Sequence, residues 1–315
     1  MRFAIMNRRR KVFNRCFTPS IFSYPENRRS QRQAKIVGGK YYGHFKILTK
    51  LRTYMTTIIS KDGTKIAYNK TGNGPTVILV DGAFCSKDFG PTPKLVPVLA
   101  NYFTVISYDR RARGDSSDTQ PYLVQREIED IEALINVAGG TAHLYGVSSG
   151  AALSIQAVAS DLPVKKLVVF EPPYYTESRR HKPPSDAVQQ LKKMIAEGRK
   201  KDAVKFYLRK VIGVPAIVPF ILRLTSNWSK MISNANSLPY DAAVMGNFIV
   251  PNEILASINI PTMVIASIKS PQSLQKPVEL VAKALPIAEH KILKGQIHNV
   301  PPKTLVPVLA EFYNK

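Results

Sequence analysis

The feature of this chain that most narrows its fold is a set of short β-branched runs separated by stretches of helical periodicity. Thr76–Val80 (TVILV) shows no polar alternation, the pattern of a strand covered on both faces. Residues 103–108 (FTVISY), 143–147 (HLYGV), 166–170 (KLVVF) and 262–266 (TMVIA) repeat that character, and 290–293 (HKIL) closes the series. Over 123–137, Ile128, Ile131, Leu134 and Ile135 share one helical face, with Glu127, Glu129, Asp130 and Glu132 expected mostly elsewhere. Gly139-Gly140 ends that helix. Further helices are predicted over 94–100, 149–160 and 274–285, and from Lys303 onward. Strands alternating with helices predict a mostly parallel sheet with helices on both faces. Ahead of it, 56–60 and 65–70 read as two strands joined at Asp62-Gly63, an antiparallel hairpin at one edge.

In such sheets reactive groups gather at the carboxyl ends of the strands. The run 143–147 passes straight into Gly146-Val147-Ser148-Ser149-Gly150, a G-x-S-x-G sequence at a strand-to-helix junction. A sharp turn there lifts the Ser148 hydroxyl above the sheet, and the two glycines let strand and helix approach closely. A serine hydroxyl is a poor nucleophile until a base takes its proton, and histidine suits that task at neutral pH. His298 lies after the last strand and before the terminal helix, so the order is serine then histidine. The other histidines are placed less well. His44 precedes the first strand, His143 and His290 begin strands, and His181 sits in a basic loop.

Val80-Asp81-Gly82-Ala83, the turn Tyr108-Asp109-Arg110-Arg111-Ala112-Arg113-Gly114-Asp115-Ser116, the serine turn and the late histidine together resemble the α/β-hydrolase superfamily over about residues 56–315. The resemblance implies an eight-stranded sheet, a helical lid between the sixth and seventh strands, and acyl-transfer chemistry. It also implies an oxyanion hole from the backbone amides of Ala83 and Ser149. Asp81 stands where many members carry histidine before the glycine; it reads equally as a turn-forming Asp-Gly and as a residue with a direct role.

The acid that orients the histidine is less settled. Residues 262–271 (TMVIASIKSP), around the seventh strand, hold no carboxylate, and Ser270 stands near the expected position. Glu171, directly after the sixth strand and followed by Pro172-Pro173, is assigned as the acid, with Asp241 as the second candidate and a dyad without any acid as the third. Asp109 and Asp115 read as ion-pair partners stabilising their Arg-rich turn, while Arg111 and Arg113 are candidates for drawing an anionic substrate.

The expected organisation is a basic leader over 1–54, a core from 55–171 and 261–315, and a helical lid over 172–260. Two lid helices are predicted, over 185–197 with Ser185-Asp186 as cap and over 201–211, both with strongly basic outer faces. Apolar residues of 211–224, with Trp228, Met231, Tyr240, Met245 and Phe248, are expected to pack the lid and in part to roof a pocket.

The formal charge of +23 suggests nucleic acid, but its distribution argues otherwise. Residues 1–54 carry fourteen Lys and Arg against Glu26 alone, a balance of +13, and the remaining residues contribute +10. That leader reads as an organellar transit peptide or as an over-long gene start before Met55, with a basic arm for anionic surfaces behind both. The compartment is expected to be cytoplasmic, or mitochondrial-type if the leader is a transit peptide. Two cysteines, Cys16 and Cys85, make no disulfide framework, no run is long and apolar enough to span a bilayer, and no metal or organic cofactor is expected. The sequence thus predicts a serine hydrolase acting on a small or medium acyl substrate, without a specific nucleic-acid partner. A hydrolase-fold protein that binds a ligand, or runs lyase, C–C cleaving or perhydrolase chemistry, is the alternative.

Overall fold

The computed structural model describes residues 54–177 and 181–315; the leader apart from its last residue therefore lies outside the described residues. Eight strands form one sheet: β1 (Tyr54–Ile59), β2 (Lys65–Thr71), β3 (Thr76–Val80), β4 (Thr104–Tyr108), β5 (Ala142–Val147), β6 (Val164–Phe170), β7 (Thr262–Ser267) and β8 (Ala288–Leu293). Their spatial order is β1-β2-β4-β3-β5-β6-β7-β8. β1 pairs antiparallel with β2, and β2 with β4, while every other pair is parallel. Between β1 and β2, Gly63 turns the chain at φ 85°, a conformation that favours glycine.

The helices between the core strands are α1 (Thr92–Leu99), α2 (Val124–Val137) and α3 (Ser149–Ala159). Among the described residues, six short α-helices lie between β6 and β7: α4 (Ala187–Ala196), α5 (Lys200–Phe206), α6 (Ile217–Leu222), α7 (Asn227–Ser233), α8 (Leu238–Val244) and α9 (Asn252–Ala256). The carboxyl-terminal part adds α10 (Gln272–Ala284) and α11 (Pro302–Asn314).

The uniform apolarity of the central strands follows from two separate cores. Val77 and Leu79 of β3, Tyr145 and Val147 of β5, and Met263 and Ile265 of β7 pack beneath α1 and α11. Their alternate neighbours Ile78, Val80, Leu144 and Val264 pack on the other side, against α2, α3, α10 and the inserted helices. Each such side chain contributes about 1.5–3 kcal/mol when fully removed from water. β8, at the edge, alternates exposed and half-buried residues instead.

Two local expectations need correction. Glu127, Glu129 and Asp130 of α2 are buried rather than solvent-facing, because two arginines of the β4 turn lie beside the helix and pair with the first and third of them. Asp186 precedes α4 but makes no side-chain cap; its carboxylate accepts instead from Gln190 Nε2 at 2.9 Å. The second inserted helix also loosens into a π-helical turn over Tyr207–Ile212 before Gly213 ends it at φ 84°.

Candidate active site

Ser148 occupies the turn between β5 and α3 with φ 56° and ψ −124°, a conformation non-glycine residues rarely adopt. The surroundings hold it there. Its backbone N–H donates to the Phe170 carbonyl at 2.9 Å, tying the turn to the end of β6. A Cβ on Gly150 would run into the Val80 carbonyl, and one on Gly82 would lie 2.8 Å from the Ser148 Cβ. Glycine is therefore required where β3 and α3 approach the serine.

His298, in the loop between β8 and α11, also has a positive φ of 53°, and Glu171 after β6 has 45°. Among the described residues only seven non-glycine positions have positive φ, and Ser148, Glu171 and His298 are three of them. Backbone strain of this sort persists where tertiary contacts over-determine it. Those contacts are visible: the Glu171 N–H donates to the Ile265 carbonyl at 3.0 Å, and the His298 N–H donates to Ser270 Oγ at 2.9 Å.

The side chains meet as a pair. His298 Nδ1 lies 2.6 Å from Glu171 Oε2, and Glu171 Oε1 accepts the Ser267 amide at 2.7 Å. An ionised carboxylate only accepts, so this contact puts the ring proton on Nδ1 and leaves Nε2 as the basic nitrogen. Glu171 is wholly buried, whereas the His298 side chain keeps 35% exposure. Ser267 and Ser270 had no signal in the sequence beyond their place at and just after the end of β7, yet they hold the acid and the histidine loop.

Asp241, the second candidate acid, belongs elsewhere. It sits on α8, fully buried, and takes Arg113 Nη2 on both carboxylate oxygens at 2.7 Å and Arg110 Nη1 at 2.8 Å. The Ser149 hydroxyl also donates to it at 2.7 Å. Two guanidinium groups and a hydroxyl fill its acceptor positions, so it is not the partner of His298.

The arginines of the β4 turn are equally committed. Arg110 forks onto Glu127 and Arg111 onto Asp130 with a further contact to Asp62, while Arg113 holds Asp241 through Nη2 alone. All three are buried, which removes Arg111 and Arg113 as lures for an anionic substrate. Asp109 accepts the backbone and Nζ of buried Lys87 at 2.8 and 2.9 Å, and Asp115 pairs with the same lysine. Asp81 is buried behind the strand end and accepts the Thr92 hydroxyl at 2.6 Å; burial pushes its carboxyl up to about 7. Asp81 thus faces α1 and does not act as a turn residue alone.

Ser148 and His298 open on one cavity of about 390 Å³. Its other walls are mostly apolar, among them Ala83, Tyr207, Val211, Met245, Phe248 and Leu274. That volume lies at the lower end of small-molecule sites. Among the described residues, no acceptor takes the backbone amide of Ala83 or Ser149. A wider hollow of about 820 Å³ between α9 and α10 has neither residue in its lining. No group of three metal-ligating side chains gathers among the described residues, and no described helix is long and apolar enough to cross a membrane.

Comparison with known proteins bears on this geometry. The model of the alpha/beta hydrolase family matches residues 77–285. An alpha/beta hydrolase from Sphaerobacter thermophilus DSM 20745 is 44% identical, with a TM-score of 0.77 covering 82% of this chain and all of that one. An esterase from Rhodococcus sp. ECU1013 shares the fold at 18% identity, with a TM-score of 0.61 over 83% of this chain and 98% of its own. An uncharacterized hydrolase of Bacillus subtilis (strain 168) is 31% identical over 97 residues, which is 30% of this chain and only 35% of that relative's length.

Proposed function

The chain belongs to the alpha/beta hydrolase family, and we propose that it is a serine hydrolase cleaving a small or medium ester, thioester or related acyl compound through an acyl-enzyme on Ser148. The observation that carries this reading is the strained Ser148 opening on the same cavity as a histidine whose far nitrogen is held by a buried glutamate.

The chemistry follows from that arrangement. His298 Nε2 takes the proton of the Ser148 hydroxyl as its oxygen attacks the substrate carbonyl carbon. Glu171, anchored by the Ser267 amide, favours the imidazolium that results. The carbonyl electron pair moves onto oxygen, where the Ala83 and Ser149 amides stand as donors. Collapse expels the alcohol or thiol, which receives the proton from His298. Water then attacks the acyl-enzyme by the same route and releases the acid, regenerating Ser148. These steps use only the chain's own residues and water. The largely apolar cavity suits an acyl or alcohol group of modest size, and the insertion between β6 and β7, which supplies Tyr207, Val211, Met245 and Phe248, acts as its lid.

The ligand-binding alternative is favoured by the absence of a carboxylate after β7 and by Asp81 in place of histidine. Glu171 against His298 supplies that acid from β6, which favours hydrolysis. Turnover of p-nitrophenyl acetate and butyrate, with labelling by a fluorophosphonate, is the test. The expected result is that Ser148→Ala abolishes both; full activity and labelling in that variant would end the proposal.

A further inference from the structure

The two amides assigned to the oxyanion hole come from distant parts of the chain, and one buried ion pair touches both supports. The Ala83 N–H belongs to the same peptide unit as the Gly82 carbonyl, and that carbonyl accepts from Arg113 Nη1 at 2.6 Å. The Ser149 amide belongs to the residue whose hydroxyl donates to Asp241 Oδ1 at 2.7 Å. Arg113 and Asp241 are joined through one nitrogen, Nη2 donating to both carboxylate oxygens at 2.7 Å. Arg110 reinforces the arrangement, donating to Asp241 at 2.8 Å and to the Asp81 carbonyl at 3.2 Å.

We infer that Arg113 and Asp241 are positioning residues that set the two halves of the oxyanion hole relative to each other. The inference rests on the serine-hydrolase reading above. Three physical points carry it. A buried ion pair is weak grounds for stability, since apolar replacements of similar volume often serve as well, so the geometry it imposes is the better account of it. The planar guanidinium sets Nε on the Ser237 hydroxyl, Nη1 on the Gly82 carbonyl and Nη2 on Asp241 at once, which fixes orientation as well as distance in a way a single hydrogen bond does not. Finally, a cationic donor on the Gly82 carbonyl polarises that peptide and strengthens its N–H toward an oxyanion. The pair is sealed from water: Arg110 and Arg113 are 1% exposed and Asp241 is 0%. Because Asp241 stands on α8, the helical insertion is tied into the hole's geometry, not only into the cavity wall.

The experiment compares Asp241→Asn and Ser149→Ala with the unaltered protein, using p-nitrophenyl butyrate and a trifluoromethyl ketone that forms a tetrahedral oxyanion adduct. Asp241→Asn keeps the shape and removes the charge; Ser149→Ala keeps the backbone amide and removes only its tie. The expected result is kcat lower by about 10–100-fold for Asp241→Asn and about 3–10-fold for Ser149→Ala, with KM nearly unchanged. The ketone's inhibition constant should rise in step with the loss of kcat. A role in folding alone would lower the active fraction and leave that constant unmoved, which would overturn the inference. Should Asp241→Asn fail to fold, Ser149→Ala decides. Ser148→Ala run alongside separates the layers: if it is inactive while both variants keep kcat and ketone affinity, the positioning role falls and the serine-hydrolase reading stands. If it remains active, the underlying reading falls first.

Discussion

Glu171 and Asp241 flank the same serine turn, and both are fully buried, yet the structure gives them opposite partners. Glu171 faces an imidazole that can gain or lose a proton and keeps one edge toward solvent. Asp241 faces two guanidiniums whose charge does not change near neutral pH. The contrast teaches what separates a working acid from an architectural one. A carboxylate can follow the protonation of a base only if its partner titrates in the working range. One held by two permanent cations can fix positions and nothing else. The energetics differ too, because breaking a closed buried pair leaves charges stranded, whereas altering the acid beside a histidine leaves a neutral ring.

That contrast can be broken from either side, and the largest effect belongs to the serine both sides support. Ser148→Ala should lower kcat/KM by about 10⁴-fold or more, read by ester hydrolysis with thermal melting unchanged. Glu171→Gln comes next, with kcat lower by about 10²–10⁴-fold and KM little altered, since the amide no longer stabilises the imidazolium. Retention of activity there would make the histidine independent of its carboxylate. Asp241→Ala should act on stability, lowering unfolding free energy by about 3–5 kcal/mol in urea titrations, because Arg110 and Arg113 lose their shared partner. An Asp241→Ala protein as stable as the original would erase the distinction between the two acids.

The effect that is smallest per pH unit concerns a third buried carboxylate. Asp81 in the folded protein titrates near 7, above its unfolded value, so the folded state holds the extra proton between about pH 4 and 7. Its contribution is complete below that window and is lost as pH rises through 7. Asp81→Asn should therefore flatten the decline in stability between about pH 4 and 7, by at most about 1.4 kcal/mol per pH unit, as read from urea midpoints at several pH values.

Much of this was legible in the residues themselves. The β-branched runs locate every core strand to within two residues, since strands buried on both faces leave no polar alternation to misread. Ser148 and His298 stand out because a G-x-S-x-G turn and a late loop histidine have mechanical meaning at strand ends. The position of Glu171 directly after the sixth strand puts it ahead of Asp241, but what holds each carboxylate was not legible: only the fold brings Ser267 beside one and Arg113 beside the other. The acidic face of α2 misled for a related reason. Periodicity assigned Glu127 and Asp130 elsewhere than the apolar face, but burial is tolerable when an arginine from a distant turn arrives to pair with each. The tie between Arg113 and the Gly82 carbonyl is likewise a tertiary contact that no local pattern announces.

The most direct measurement is to mix the protein with p-nitrophenyl butyrate, quench in acid within the first turnovers, and map the peptides by mass. The account predicts one butyryl group on the peptide carrying Ser148, accumulating before steady state. A butyryl group on any other residue, or turnover with no acylated peptide at all, would contradict it.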